Sequence, residues 1–391
     1  MSNQALLQVV YNEPSFCFGA GATRVCVTRL GAMMAPVTFF ADSPRPIQPY
    51  YIAPWWNEGC GAEVPNLLRT LRGDFFCVPF GGNEAPYQGI QYPPHGQSAN
   101  EEWTLEGLIR TDAGEALELT QRQSARAGTL RRTLATLHGQ SVVYARGEML
   151  GMTGPMCPGY HPNLFVPDEA GQGFLSFAPH AHAHTYLHPT ERPEGKGYSF
   201  LRPDTAIEDL RRCPTITGET ADLTRYPARR GYEDIFMLSA PADLALGWTA
   251  LAVPSRGYVW FSLKDPRVLA STLVWMSNGG RHFAPWNGRN VNCLGLEEIT
   301  AFFHEGLAAS ASENCINSLG IRTFLELTPE RATTVNLIQG VARIDPDFTS
   351  VARIDALNEG TVRLTSAEKK HVDVSVSLAF LTSGKIKDLL E

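Results

Sequence analysis

The sequence predicts an all-β protein made of large antiparallel sheets with few short helices. Three observations point there. Short β-branched and aromatic runs dominate the chain. Turn-forming residues are plentiful, with 35 Gly and 27 Pro in 391 residues. Helical periodicity is thin throughout.

The strand signals recur along the chain. Ser141-Val142-Val143-Tyr144-Ala145 and Gly257-Tyr258-Val259-Trp260-Phe261-Ser262-Leu263 are compact apolar runs. Val372-Asp373-Val374-Ser375-Val376-Ser377-Leu378 alternates apolar and polar residues, the period-two mark of a half-buried strand. Phe80-Gly81-Gly82-Asn83 and Ser277-Asn278-Gly279-Gly280 are turn clusters between such runs. Helix is expected only over 296–307 (LEEITAFFHEGL) and for a turn or two over 204–210. VARID occurs at 341–345 and again at 351–355, which predicts two strands of one hairpin. No linker separates independent units, so residues 1–391 read as a single domain. Residues 1–45 are expected to be an N-terminal strand extension packed on it.

Composition excludes several classes. The net charge is −7 and no basic block is present, which argues against nucleic acid and against anionic membrane surfaces. No apolar run approaches the ~20 residues that span a bilayer. The first residues carry no basic leader or small-residue cleavage site. Eight cysteines without a CxxC pair read as reduced, mostly buried thiols of a cytoplasmic protein.

The run His180-Ala181-His182-Ala183-His184-Thr185-Tyr186-Leu187-His188 holds four of the ten histidines. On an extended strand, His180, His182 and His184 would share a face, and imidazoles so placed can bind zinc, copper or nickel. Pro179 and Pro189 bracket the run and no HExxH accompanies it, so lining or loop is the stronger reading. No metal is expected.

Four ionisable residues sit in more telling surroundings. His95 lies in Pro93-Pro94-His95-Gly96 ahead of Trp103, and His161 in Gly159-Tyr160-His161-Pro162-Asn163. Asp234 precedes the apolar Ile235-Phe236-Met237-Leu238, and Glu297 lies in Gly295-Leu296-Glu297-Glu298. Intervals of 66, 73 and 63 residues exclude a local motif and suit separate strands converging on one site. Singly, each has an ordinary explanation: a loop histidine, a turn cap, a first-turn helix acid.

In this order, from Asn66 to Phe303, the motifs resemble the aldose 1-epimerase (galactose mutarotase-like) family, as a divergent member. The resemblance implies a β-supersandwich with an open sugar site. It implies His161 as general acid, Glu297 as general base, and His95 and Asp234 as sugar-hydroxyl binders. It also places Asn83, after Pro79-Phe80-Gly81-Gly82, at a substrate-contacting position. Tyr50, Tyr51, Trp55, Trp56 and Trp103 are expected mostly in the core, whereas Trp275 and Trp286 flank the turn leading to Glu297 and are candidates to lie against a sugar.

Opening a hemiacetal ring requires taking a proton from the anomeric oxygen and giving one to the ring oxygen. A carboxylate and an imidazolium on opposite sides of the substrate would do both. The mechanism needs Glu297 ionised and His161 protonated, with Asp234 raising the histidine's pKa. It calls for no cofactor. A small-molecule sugar is the expected partner, and a homodimer is carried as an expectation about assembly.

Two departures bear on this. Gln97-Ser98-Ala99-Asn100 follows the His-Gly pair, without the arginine common in the hexose-phosphate branch, which counts against a phosphorylated substrate. Glu298 replaces the usual proline after the glutamate, so Glu297 and Glu298 are alternative bases. The competing classes are a carbohydrate-binding or sensing protein of the same fold and a polysaccharide lyase or hydrolase.

Overall fold

The computed structural model describes residues 7–61 and 63–391. Two large antiparallel sheets carry the chain. Nine strands form one sheet, in spatial order Arg225–Tyr226, Gly173–Phe177, Gly247–Val253, Tyr258–Lys264, Thr333–Arg343, Val142–Leu150, Gly128–Leu137, Gly114–Gln123 and Thr104–Arg110. Seven strands form the other. Its order runs from the edge strand His182–Thr185 through Tyr232–Ser239, Ser271–Asn278 and Cys293–Ile299 to Gly159–Tyr160 and Phe76–Cys77, with Asn163–Phe165 also paired to Cys293–Ile299. Residues 7–38 form a four-stranded meander, and 351–375 a three-stranded sheet. No helix described here exceeds five residues.

The nine-stranded sheet is covered on both faces. One face packs with the seven-stranded sheet and the N-terminal meander around Leu130, Leu134, Trp260 and Leu337. The other packs Ala250, Phe261 and Ile338 against Val362, Leu364, Val374 and Phe380 of the C-terminal segment. All seven residues of Gly247–Val253 and of Tyr258–Lys264 are buried, so these strands read as largely apolar runs without alternation, with Thr249, Ser262 and Lys264 as buried polar exceptions.

Several sequence expectations are corrected. Residues 293–299 are a central strand, and helix begins only at Leu307–Ser310. A central strand is buried on both faces and loses the alternation that would have marked it. Residues 204–210 supply only the start of a 3-10 turn at Leu210–Arg212. The two VARID segments do not pair. The first ends a strand of the nine-stranded sheet, and the second opens the strand Val351–Asn358, paired to Thr361–Ser366. Cys17 and Cys26 face each other on neighbouring strands and are disulfide-bonded, whereas the other six cysteines are free. Among the described residues, no helix is long and apolar enough to cross a membrane.

Candidate active site

Glu297 sits mid-strand at the centre of the seven-stranded sheet. Its cross-strand neighbour is Leu273, and Trp275 stands opposite Gly295 one step along the same face. Gly295 leaves room for the carboxylate, because a Cβ there would stand 2.6 Å from Glu297 Oε1. The other side of the strand is paired by two short strands, Gly159–Tyr160 and Asn163–Phe165, and between them the chain departs at His161-Pro162.

Three contacts fix His161 in that gap. Its amide N–H donates to Phe75 O (3.0 Å) and Asp74 Oδ1 (3.1 Å). Its ring stacks on Phe75 with centroids 4.6 Å apart. Asp74 is itself held by Arg132 at 2.6 Å, both side chains fully buried. The outcome places His161 Nε2 at 3.3 Å from Glu297 Oε1.

This pair lines a cleft of ≈ 500 Å³. Trp275 and Trp286 stand edge to face on its wall, 6.0 Å between centroids, and Trp55 backs Trp286 at 5.1 Å. The Arg281 guanidinium lies 4.6 Å over the Trp286 ring and pairs with Glu191 at 2.6 Å. His95 is packed against Phe80 and His161, and its Nε2 lies 3.2 Å from His304 Nε2. Glu233, behind Trp275, accepts from the indole N–H (3.0 Å), from Ser277 Oγ and from Gly280 N.

Burial dominates the electrostatics. It raises the Glu297 carboxyl well above its ordinary range and pushes the His161 imidazole down to about 3, with His304 adding to the latter. Both shifts disfavour charge on the pair, whose Nε2 and Oε1 lie close enough to hold one proton between them. His161 Nδ1 and Glu297 Oε2 are buried without a protein partner among the described residues. Burial also lowers His95, and takes His304 to about 4 with help from the positive charge of Arg281. Glu233 is raised to about 7, again by burial.

Of the sequence-selected residues, His161, Glu297, His95, Trp275 and Trp286 come together in the cleft. Asp234 and Asn83 do not line it. Asp234 belongs to the opposite sheet face, where its Oδ1 accepts from the amides of Phe200 (2.9 Å) and Leu201 (2.8 Å). It anchors a loop and cannot raise the His161 pKa as expected; burial takes its own carboxyl up to about 6. Asn83 spends its side chain on Gly81 O and the Leu307 amide, tying two loops together.

The two glutamates face different surroundings. Glu298 points into the space between the sheets and is satisfied by Ser262 Oγ (2.7 Å), Thr272 Oγ1 (2.8 Å) and Lys264 Nζ (2.5 Å). Glu297 alone of the two faces the cleft. It lies beside His161, where the sequence analysis expected acid and base across the substrate from each other.

Sequence reasoning missed His304, Arg281, Glu191 and Tyr186, which also line the cleft. Assigning 296–307 to a helix hid His304. The Gly279-Gly280 turn was the available signal for Arg281, since it swings the chain back over the tryptophans.

No protein-family model matches the sequence, and no curated protein matches it. Solved structures do. A candidate aldose 1-epimerase from Klebsiella pneumoniae superposes with a TM-score of 0.58 at 13% identity, covering 87% of this chain and 83% of that one. A galactose mutarotase-like protein from Clostridium acetobutylicum gives 0.55 at 11% identity, covering 86% and 98%. A galactose mutarotase related enzyme from Lactobacillus acidophilus gives 0.52 at 11% identity, covering 85% and 98%. The fold is therefore the all-β sandwich of the galactose mutarotase-like proteins, in a divergent form.

Proposed function

We propose that this protein is an aldose 1-epimerase-like enzyme that interconverts the anomers of a free sugar. The observation that carries the proposal is the side-by-side His161–Glu297 pair, 3.3 Å apart in a tryptophan-walled cleft. The anomeric and ring oxygens of an aldose are both bonded to C1, so adjacent donor and acceptor groups suit them.

The step balances within the pair. Glu297 takes the proton of the anomeric hydroxyl as the C1–ring oxygen bond breaks and the C1 carbonyl forms. His161 Nε2–H protonates the ring oxygen. The shared proton lies on His161 when the sugar is bound, a shift that leaves the pair's proton count unchanged. Rotation about C1–C2 and the reverse transfers close the ring as the other anomer. No metal or nucleotide enters these steps.

Among the described residues, Arg281 is the one lysine or arginine lining the cleft; Glu191 already engages it, and Glu84 adds negative charge. That favours an uncharged sugar over a phosphorylated one. A homodimer, checked by light scattering, and a cytoplasmic setting complete the proposal; because the Cys17–Cys26 bond speaks for an oxidising compartment, cell fractionation decides the setting. The deciding experiment is anomer exchange by NMR across a panel of aldoses. Wild type should exceed the spontaneous rate on at least one sugar, and Glu297→Gln should fall to it. Tight binding of a sugar with no exchange would instead support a sensing protein.

A further inference from the structure

Pro79-Phe80-Gly81-Gly82-Asn83 drew attention in the sequence as a place for a substrate contact, yet Asn83 does not line the cleft. What the loop does is grip the segment carrying His304. The Gly82 amide donates to His304 O (2.7 Å), and Asn83 Oδ1 accepts from the Leu307 amide (3.0 Å). Both crossings need glycine. A Cβ at Gly81, whose φ is +100°, would stand 2.6 Å from Gly306 N, and one at Gly306 would stand 2.5 Å from Asn83 Oδ1. A Cβ at Gly82 would stand 3.2 Å and 3.3 Å from Cε1 and Nδ1 of His304. The loop thus holds the His304 ring while leaving its Nδ1 edge uncovered.

Hydrogen-bond partners assign the protons. The Gly81 N–H is directed at His95 Nδ1 (3.5 Å), so that nitrogen keeps its lone pair. Neutral His95 then carries its proton on Nε2, which faces His304 Nε2 at 3.2 Å. His304 accepts there, and as a neutral ring bears its own proton on Nδ1. Burial favours the neutral form of both rings. His95 is consequently committed to His304, whereas His304 Nδ1 has no protein partner among the described residues and belongs to a side chain lining the cleft.

We infer that His304 Nδ1–H donates to an oxygen of the bound sugar, with His95 and the Gly81–Asn83 loop as its positioning partners. This assigns the substrate contact expected of His95 to a residue 209 positions further along. It rests on the sugar-site reading above.

The test uses steady-state anomer exchange on whichever aldose wild type turns over best, with His304→Ala, His304→Gln, Gly82→Ala and the Gly82→Ala/His304→Ala double variant. Loss of one hydrogen bond predicts a KM rise of about tenfold for His304→Ala, with kcat changed less. His304→Gln, which retains an N–H donor, should recover part of it. Gly82→Ala should weaken binding in wild type and add nothing in the His304→Ala background. Long-range ¹H–¹⁵N correlation should show the proton on Nε2 of His95 and on Nδ1 of His304. The inference is overturned if His304→Ala leaves KM unchanged on a sugar that wild type exchanges, or if the tautomers are reversed. Should Gly82→Ala fail to fold, the Ala and Gln variants at 304 still decide. If wild type exchanges no aldose, the sugar-site reading fails first and takes this inference with it.

Discussion

Glu297 and Glu298 are neighbours on one strand, and they end in opposite circumstances. On the inter-sheet face, Glu298 meets a lysine and two hydroxyls, and Lys264 in turn donates to Ser271 O and Thr272 Oγ1. On the cleft face, Glu297 meets one imidazole and keeps an oxygen without a partner. Both carboxyls are buried. A buried polar group that is fully satisfied serves the fold, whereas one left partly unpaired at the wall of a cleft is poised for a ligand. The two faces of one sheet thus give adjacent carboxyls opposite surroundings, one satisfied within the fold and one open to the cleft.

The largest effect expected from this contrast is on activity. Glu297→Gln should lower kcat/KM for anomer exchange by ~10²–10⁴-fold, the usual worth of a positioned acid–base group. Its unfolding midpoint in urea should stay close to wild type, since the isosteric Gln keeps a polar contact with His161 and no other partner is lost. A large stability loss would break the contrast, because it would make Glu297 a structural residue.

Glu298→Ala should behave in the reverse sense. It strands Lys264 in the core, and breaking a buried pair from one side costs roughly 3–5 kcal/mol. Replacing both partners with apolar residues, as in Lys264→Met with Glu298→Leu, should restore most of that stability. If the double variant is no better than the single one, ion pairing is not what holds Glu298.

Asp234 shares the inter-sheet face but lacks a cation. Its carboxyl is raised to about 6, so the folded state holds its proton more tightly than the unfolded chain does. The associated stability is present below the unfolded value of ~3.9 and lost as pH rises through ~6, by roughly 3 kcal/mol at most. Asp234→Asn, which keeps the acceptor for Phe200 and Leu201, should flatten that part of the pH–stability profile. Parallel profiles for the two proteins would show that Asp234 is not forced toward neutrality.

The sheet architecture was legible because β-branched and aromatic runs separated by glycine and proline admit few other folds. The pairing of His161 with Glu297 was legible only through the order of motifs, since 136 residues separate them. What stayed hidden has physical causes. Asp234 and Asn83 carry the same chemistry as a sugar-binding residue, and only the parity of a strand or the crossing of two loops turns them toward backbone amides. Residues 296–307 pack apolar residues at helical spacing, yet the sheet takes 296–299 as strand and the rest turns until the helix at Leu307–Ser310. His304 went unseen because its placement depends on glycines more than 200 positions away.

The smallest expected effect concerns the histidine run. It contrasts with the cleft histidines in the same way that the two glutamates contrast with each other. His182 and His184 do share a face, on the edge strand His182–Thr185, with rings stacked 5.6 Å apart. His184 Nδ1–H is spent on Thr185 O (2.7 Å), and its Nε2 lies 3.7 Å from Asp204. His180 and His188 are exposed and lie outside the strand. Among the described residues, no third ligand joins the stacked pair. Edge-strand side chains with only local partners contribute modestly to stability, so His182→Ala with His184→Ala should cost about 1 kcal/mol. Anomer exchange should be unaltered, because neither ring lines the cleft. Metal analysis of untagged protein supplies the opposing outcome. A stoichiometric metal that disappears in the double variant would make the edge strand a second functional site, and would show that partly satisfied histidines matter at the edge of the sheet too.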